Sequence, residues 1–407
     1  MPDGWRFIAQ SALGDDILDW DVPFSLSSNP TRDLSGPGAM NGTIEPEYAR
    51  MRGPDGQPIL QEWGTKLYAE IDGALRWGGI VTKTSFDNAK FTVQCEGLSC
   101  YPQGIPYESY LISGKLITPK DPNAGKDKNH DGYIDGSRPK KKVPPAPKPY
   151  GGPRVDVFDA FRNIWAHVQS RPQGDIGLII DSHDLGEKLG AADGSDPWEL
   201  AWWNNPDCGQ AIDGLAKDTP FDWVETHAWA NSSSNSITHR IRLGKPRLGR
   251  KRTDLRFAEG ENITAIAKPE GLGDEYANEV FVLGKGEGQK MKRAQLYQLS
   301  NNPWASGRRL RRVVTIVDKT LSSDSALRAR GQRELTGHSQ MLQIPAIQIR
   351  NHPNARFGSW AIGDDILVQV EVPWVGSVEI WHRIVSDELS PDDHCILALR
   401  RSDSFVY

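Results

Sequence analysis

Residues 65–82 read TKLYAEIDGALRWGGIVT, and this stretch decides the fold class. Leu67, Ala69 and Ile71 alternate with Tyr68 and Glu70, the period-two pattern of a strand with one face buried. Asp72-Gly73 signals a two-residue hairpin, whose favoured turn needs positive φ at both positions. Ala74 to Thr82 returns as the partner strand, and Phe91-Thr-Val-Gln-Cys95 supplies a third before Glu96-Gly97. Short strands joined by DG and DN turns point to a small barrel or sandwich.

The same signals extend outward. Gln343–Arg350, Asp365–Val372, Ser377–Val385 and Ile396–Arg400 read as strands, with turns at Gly363-Asp364 and Val375-Gly376. Phe221–Trp229 and Ser236–Leu243 read as a hairpin around NSSSN, and GDIGLIIDS (174–182) as a buried strand. Val157, Phe158, Phe161, Ile164, Trp165 and Val168 recur at helical spacing. A short helix is expected at Gln210–Lys217 and a further helix at Ser323–Gly337. Ala277–Gly284 is a strand running into GKGEG, but no Gly-Lys-Ser/Thr opens a helix there, so the loop reads as a strand connection. Residues 12–18 (ALGDDIL) and 361–367 (AIGDDIL) echo each other, as duplicated barrels would. The expected class is mainly β with α+β insertions, as two similar small β-barrel domains plus one or two smaller mixed domains. The expected segments are 1–115, 116–153, 154–220, 221–300 and 301–407.

Composition narrows the function. The 407 residues carry 48 Lys+Arg against 53 Asp+Glu, a net charge of −5, which excludes a chain that binds nucleic acid by bulk charge. The longest uncharged apolar run, Ile176–Ile180, is far below the ~20 residues that span a bilayer, so no membrane segment is expected. The opening MPDGWRFIAQSALGDD lacks a signal-peptide pattern, so synthesis in the cytoplasm is expected. Cys95, Cys100, Cys208 and Cys395 show no zinc spacing and are expected as reduced structural thiols.

Five sets of residues are candidates for chemistry. Arg240, Arg242, Lys245, Arg247, Arg250, Lys251, Arg252 and Arg256 form a basic strip opposed only by Asp254, a candidate lumen or partner surface. Trp198, Trp202 and Trp203 are expected in core or interface packing, with a sugar platform as the alternative. Asp181-Ser182-His183-Asp184 places triad residue types side by side, yet triads assemble from distant segments, and no nucleophile elbow, H-E-x-x-H helix or P-loop occurs. His382 is expected to face an interface. No catalytic residue is therefore assigned. The Pro- and Lys-rich stretch 116–153 is expected as an exposed insertion, and it holds Asp127, Asn129, Asp131, Tyr133 and Asp135 at positions one, three, five, seven and nine of a calcium loop, with Gly132 at six. Arg138 stands where such a loop has its bidentate Glu, so Ca2+ would need a further ligand or water.

The order ANEVFVLGKGEG, NNPWASGRRLRRVVTIVDKTLSSDSALRARGQREL, FGSWAIGDDILVQVEVPW and WHRIVSDELS resembles the tail-tip baseplate hub of long-tailed phages, called minor tail protein in phages of actinobacteria. WRFIAQSALGDDILDWDVPFSLSSNPTRDLSGPG and ALRWGGIVTKTSF resemble that family's opening. The resemblance implies a homotrimer whose protomers each give two barrels to a pseudo-six-fold ring continuing the tail tube. It implies the distal tail protein, the tape-measure protein and tip or fibre proteins as partners, DNA as a transient passenger of the lumen, and a place at the virion's tail tip. Some relatives carry a fused hydrolase, and none is expected after the last strand here. A tail-associated cell-wall hydrolase and a carbohydrate-binding module are the alternative functions.

Overall fold

In a computed structural model, the described residues are 4–87, 90–231, 236–266, 276–297, 310–319, 321, 323–338, 342–374, 376–390 and 393–402. The expected turn at Val375 and the quoted segment 298–309 lie outside them. The chain divides into two compact units, one of residues 1–99, 177–179 and 221–407, the other of 100–176 and 180–220.

The first unit is built on two large sheets. One runs in the order Ile17–Asp19, Arg6–Ser11, Thr65–Ile71, Ala74–Asp87, Lys90–Glu96, Ala39–Ile44, Ser25–Ser28. Asp72 and Gly73 have φ of 52° and 75°, the turn that their hairpin requires. The other runs Lys251–Ala258, Asp365–Val372, Gly376–Leu389, His394–Arg401, Ala346–Arg350, Ile263–Ile266. Neither order returns on itself, so the fold is mainly β with small helical insertions, while closure into barrels is not seen. Phe7, Met40, Leu67, Trp77 and Val93 fill the core of the N-terminal sheet. Ile347, Ile349, Ile366, Val368 and Leu397 fill that of the C-terminal one.

Thr31–Asp33 joins these two sheets. It leaves the N-terminal region and pairs antiparallel with Gly376–Leu389, Arg32 standing opposite Asp387. Leu34 N–H donates to Val385 O at 2.8 Å and Leu389 N–H to Pro30 O at 3.1 Å. The guanidinium of Arg32 grips the fully buried Asp387 carboxylate. Burial, the largest influence, would lower the Arg32 pKa, and the Asp387 charge and hydrogen bond together raise it.

Strand Thr65–Ile71 departs from its expected half-burial. Lys66, Tyr68 and Glu70 are buried as fully as their neighbours, because the hairpin Trp223–Trp229 with Ile237–Leu243 supplies residues that cover the second face. Ile8, Tyr68 and Ile237 make a separate small core there.

A three-stranded sheet completes the unit, with Arg293–Tyr297 antiparallel and Val313–Val317 parallel to Glu279–Leu283. GKGEG is the connection into Arg293–Tyr297, closed by Gly284 N–H on Lys292 O at 2.8 Å. Helix Asp324–His338 buries Leu327, Gly331 and Leu335, one stripe at every fourth position. The two echoed heptads share a turn: Gly14 and Gly363 have φ of 99° and 94°, and each leads into a strand. That conformation favours glycine.

The second unit holds helix Val157–Gln169, whose buried face is Val157, Phe158, Phe161, Ile164, Trp165 and Val168, as the spacing requires. Asp156 caps it, accepting from Phe158 N at 2.9 Å and from Leu185 N and Gly186 N at 3.1 and 2.8 Å. Asp207 caps Cys208–Asp218 in the same way. The segment 174–182 yields only Leu178–Ile180 as strand, with Ile179 half exposed, so it is not the buried strand expected. Leu116–Ile117 pairs with Tyr150–Gly151, so the Pro- and Lys-rich stretch leaves and returns at one neck. All four cysteines are buried thiols.

Candidate functional site

The loop at 127–135 is folded on itself. Asp127 accepts from Asp131 N at 3.0 Å and Gly132 N at 2.9 Å, Asn129 from Asp131 N at 3.3 Å, and Asp131 from Tyr133 N at 2.9 Å. Asp135 accepts from Lys128 N at 2.9 Å. These are Asx turns, which need no metal. Lys140 Nζ lies 3.7 Å from Asp131 and over the Tyr133 ring. Among the described residues no group of three or more His, Cys, Asp and Glu is gathered as a metal site.

The basic strip does not form one surface. Arg240 and Arg242 point outward from Ile237–Leu243, whose burial alternates strictly. Arg247 pairs with Asp365 at 3.1 Å. Arg252 turns inward instead, bonding Asp254 through Nε and Nη2 at 2.8 and 2.7 Å and Asp364 at 3.1 Å. Lys251 lies 4.0 Å over the Trp381 ring.

Trp202 and Trp203 are more than half exposed, at 59% and 54%, which overturns the expectation of core packing for them. Their rings stand at 83° to each other, and Tyr110 lies against Trp203 at 5.0 Å and 32°. Crossed rings do not make one flat platform for a sugar. Arg162 ties down the Asp181–Asp184 segment, donating to Asp181 O, His183 O and the Asp184 carboxylate. His382 is buried, its Nε2 accepting from Ile344 N at 3.3 Å and its Nδ1 facing Ile380 O at 3.1 Å, so it braces the C-terminal sheet and faces no interface.

Two buried polar clusters have no signal in the sequence. Asp222 and Arg383 form an ion pair at 3% and 0% side-chain exposure, and the Asp222 carboxylate also accepts Leu248 N at 2.8 Å. His239 stacks on Tyr68 at 5.7 Å and 7°, with its Nδ1 3.3 Å from His227 Nδ1 and its Nε2 3.3 Å from the Tyr68 hydroxyl. Gln10 accepts from that hydroxyl at 2.8 Å. Burial first, then the His227 and Lys66 charges, push the His239 pKa down to about 2.

That shift sets a pH dependence. The unfolded chain protonates His239 near ~6.5, whereas the folded chain resists protonation until about pH 2. Stability is therefore full above ~6.5 and falls as pH drops toward the folded value. Between pH 7.5 and 5.0 His239 is expected to remove about 2 kcal/mol. His239→Gln should flatten that part of the curve in urea titrations, and an unchanged slope would contradict it.

No protein-family model and no curated protein sequence matches the chain. Solved structures match its fold from end to end. A 43 kDa tail protein of prophage MuSo2 from Shewanella oneidensis is 13% identical, covering 98% of this chain and 99% of that one, at a TM-score of 0.50. A tail protein from Neisseria meningitidis MC58 is 12% identical over 98% and 97%, at 0.51. Prophage tail protein gp18 from Listeria monocytogenes is 10% identical over 98% and 95%, at 0.51. The chain has the fold of these phage tail proteins.

Proposed function

We propose that this chain is a structural component of a phage tail, the hub at the tail tip, and has no hydrolase activity of its own. What supports the reading is that whole-chain likeness to tail proteins, covering 98% of the sequence. In this reading the protein is a closed homotrimer, since a tube needs cyclic symmetry. Its two large sheets face the tube axis, and it joins the distal tail protein to tip and fibre proteins. Tape measure and DNA pass along its lumen. Immunogold labelling of intact virions is expected to mark the tail end distal to the capsid. Label on the capsid or along the tail shaft would overturn the reading.

A second, smaller reading concerns Asp127, Asn129, Asp131, Tyr133 and Asp135. What supports calcium is the spacing, which puts oxygen ligands at positions one, three, five, seven and nine of one tight loop with Gly132 at six. A site with Kd about 10⁻³–10⁻⁴ M would gain about 1–2 kcal/mol at ~5 mM calcium. A melting curve indifferent to both calcium and chelator would refute it.

A further inference from the structure

A cleft of about 1060 Å³ opens within the first unit, between the turn Ile71–Arg76, strand residues 224–226, the stretch 248–252 and the segment 357–364. Its apolar lining includes Val224, Leu248, Phe357 and Ile362, and its charged lining is five arginines against four acidic residues, Asp72, Glu225, Asp364 and Asp393. Two of the five arginines are committed, Arg32 to Asp387 and Arg252 to Asp254 and Asp364. The Glu225 carboxylate is committed too, accepting Leu98 N at 2.8 Å and Ser99 N at 2.6 Å.

Arg76, Arg242 and Arg250 remain. Among the described residues neither Arg76 nor Arg242 has a carboxylate within 4.0 Å, and Arg76 is half-buried. Arg250 comes only within 3.9 Å of Asp254, which Arg252 already bonds twice. The acidic residues left to answer them, Asp72 and Asp393, are exposed at the rim. A half-buried guanidinium pays desolvation without a paired charge, which a bound anion would return. The Arg76 guanidinium packs beside Gly358, whose φ of 86° favours glycine. In a chain of net charge −5, this is a local reversal of sign.

We infer that the cleft binds an extended acidic peptide segment of a partner protein, with carboxylates on Arg76, Arg242 and Arg250 and apolar side chains against Val224, Leu248 and Phe357. The aliphatic residues Val224, Leu248 and Ile362 in the lining suit the side chains of a peptide, whereas nucleic-acid bases bind by stacking on aromatic rings. The volume, at the top of the range for small-ligand pockets, fits a chain segment. The inference rests on the cleft alone and not on the tail-tip reading.

The probe is a fluorescein-labelled 12-residue peptide alternating Glu and Leu, followed by anisotropy at low salt. It should bind the full chain, and Arg76→Gln with Arg242→Gln should weaken binding at least tenfold with an unchanged melting curve. Arg250→Gln alone, at an exposed position, should weaken it by a smaller factor if the double variant does not fold. Arg293→Gln, outside the cleft, should change nothing. Absence of binding would overturn the inference. Equal binding of a Gln/Leu peptide would overturn it by making the site merely apolar. Tighter, equally arginine-dependent binding of a 12-nucleotide single strand would overturn it in favour of nucleic acid.

Discussion

Asp222→Ala is expected to lower folding stability by about 3–5 kcal/mol, because it leaves the Arg383 guanidinium buried opposite an apolar methyl. Arg383 has no exposed side-chain surface and also donates to Leu248 O at 2.8 Å, so it cannot swing out to water. The Asp222 carboxylate also accepts from Leu248 N, and Asp222 N donates to Pro246 O at 2.8 Å, so the pair fixes the approach into strand Lys251–Ala258. Asp222→Asn keeps the shape and one acceptor oxygen, and should cost less than alanine. Urea midpoints compare the three proteins directly. A loss below ~1 kcal/mol for the alanine variant would mean that the pair is hydrated or dispensable.

Arg252→Glu is expected to cost at least as much, about 3–5 kcal/mol, by setting a third carboxylate beside Asp254 and Asp364. Asp364 is nearly as buried as Arg252 and also accepts from Arg250 N and Ala361 N, so it has no freedom to retreat. Arg250→Glu, at a side chain 72% exposed, should stay within about 0.5 kcal/mol of the parent. The basic strip read as one surface would have both changes spare the isolated fold, and the geometry separates them. Position 252 faces inward, beside a bulge between Arg252 and Phe257 in the pairing with Asp365–Val372, while 250 and 251 remain outside. Similar melting curves for the two variants would contradict this separation.

Local chemistry was legible in the sequence where one face of one element decided the outcome. The Asp72-Gly73 turn, the 221–243 hairpin and the apolar stripe of Val157–Gln169 all follow from spacing and turn residues alone. What spacing cannot show is which distant element covers the other face. Tyr68 and Glu70 read as solvent positions because the covering hairpin begins more than 150 residues later. Thr31–Asp33 is three residues long and too polar to announce itself, yet it pairs with a strand 355 positions away through Arg32 and Asp387. The buried charges are illegible for the same reason: Arg383 sits in a strand among Ile380, Trp381, Ile384 and Val385, and only the fold brings Asp222 to it. In the loop at 127–135 the residue types were legible, and their hydrogen bonds form as an Asx-rich loop does with or without an ion.

The trimeric tail-tip hub proposed above is tested by a reconstruction of the intact virion tail without imposed symmetry. Three copies of the chain are expected around the tube axis at the tail's distal end, with the two large sheets of each copy alternating around the lumen. A single copy, a two-fold pair, or six copies forming the shaft would contradict it.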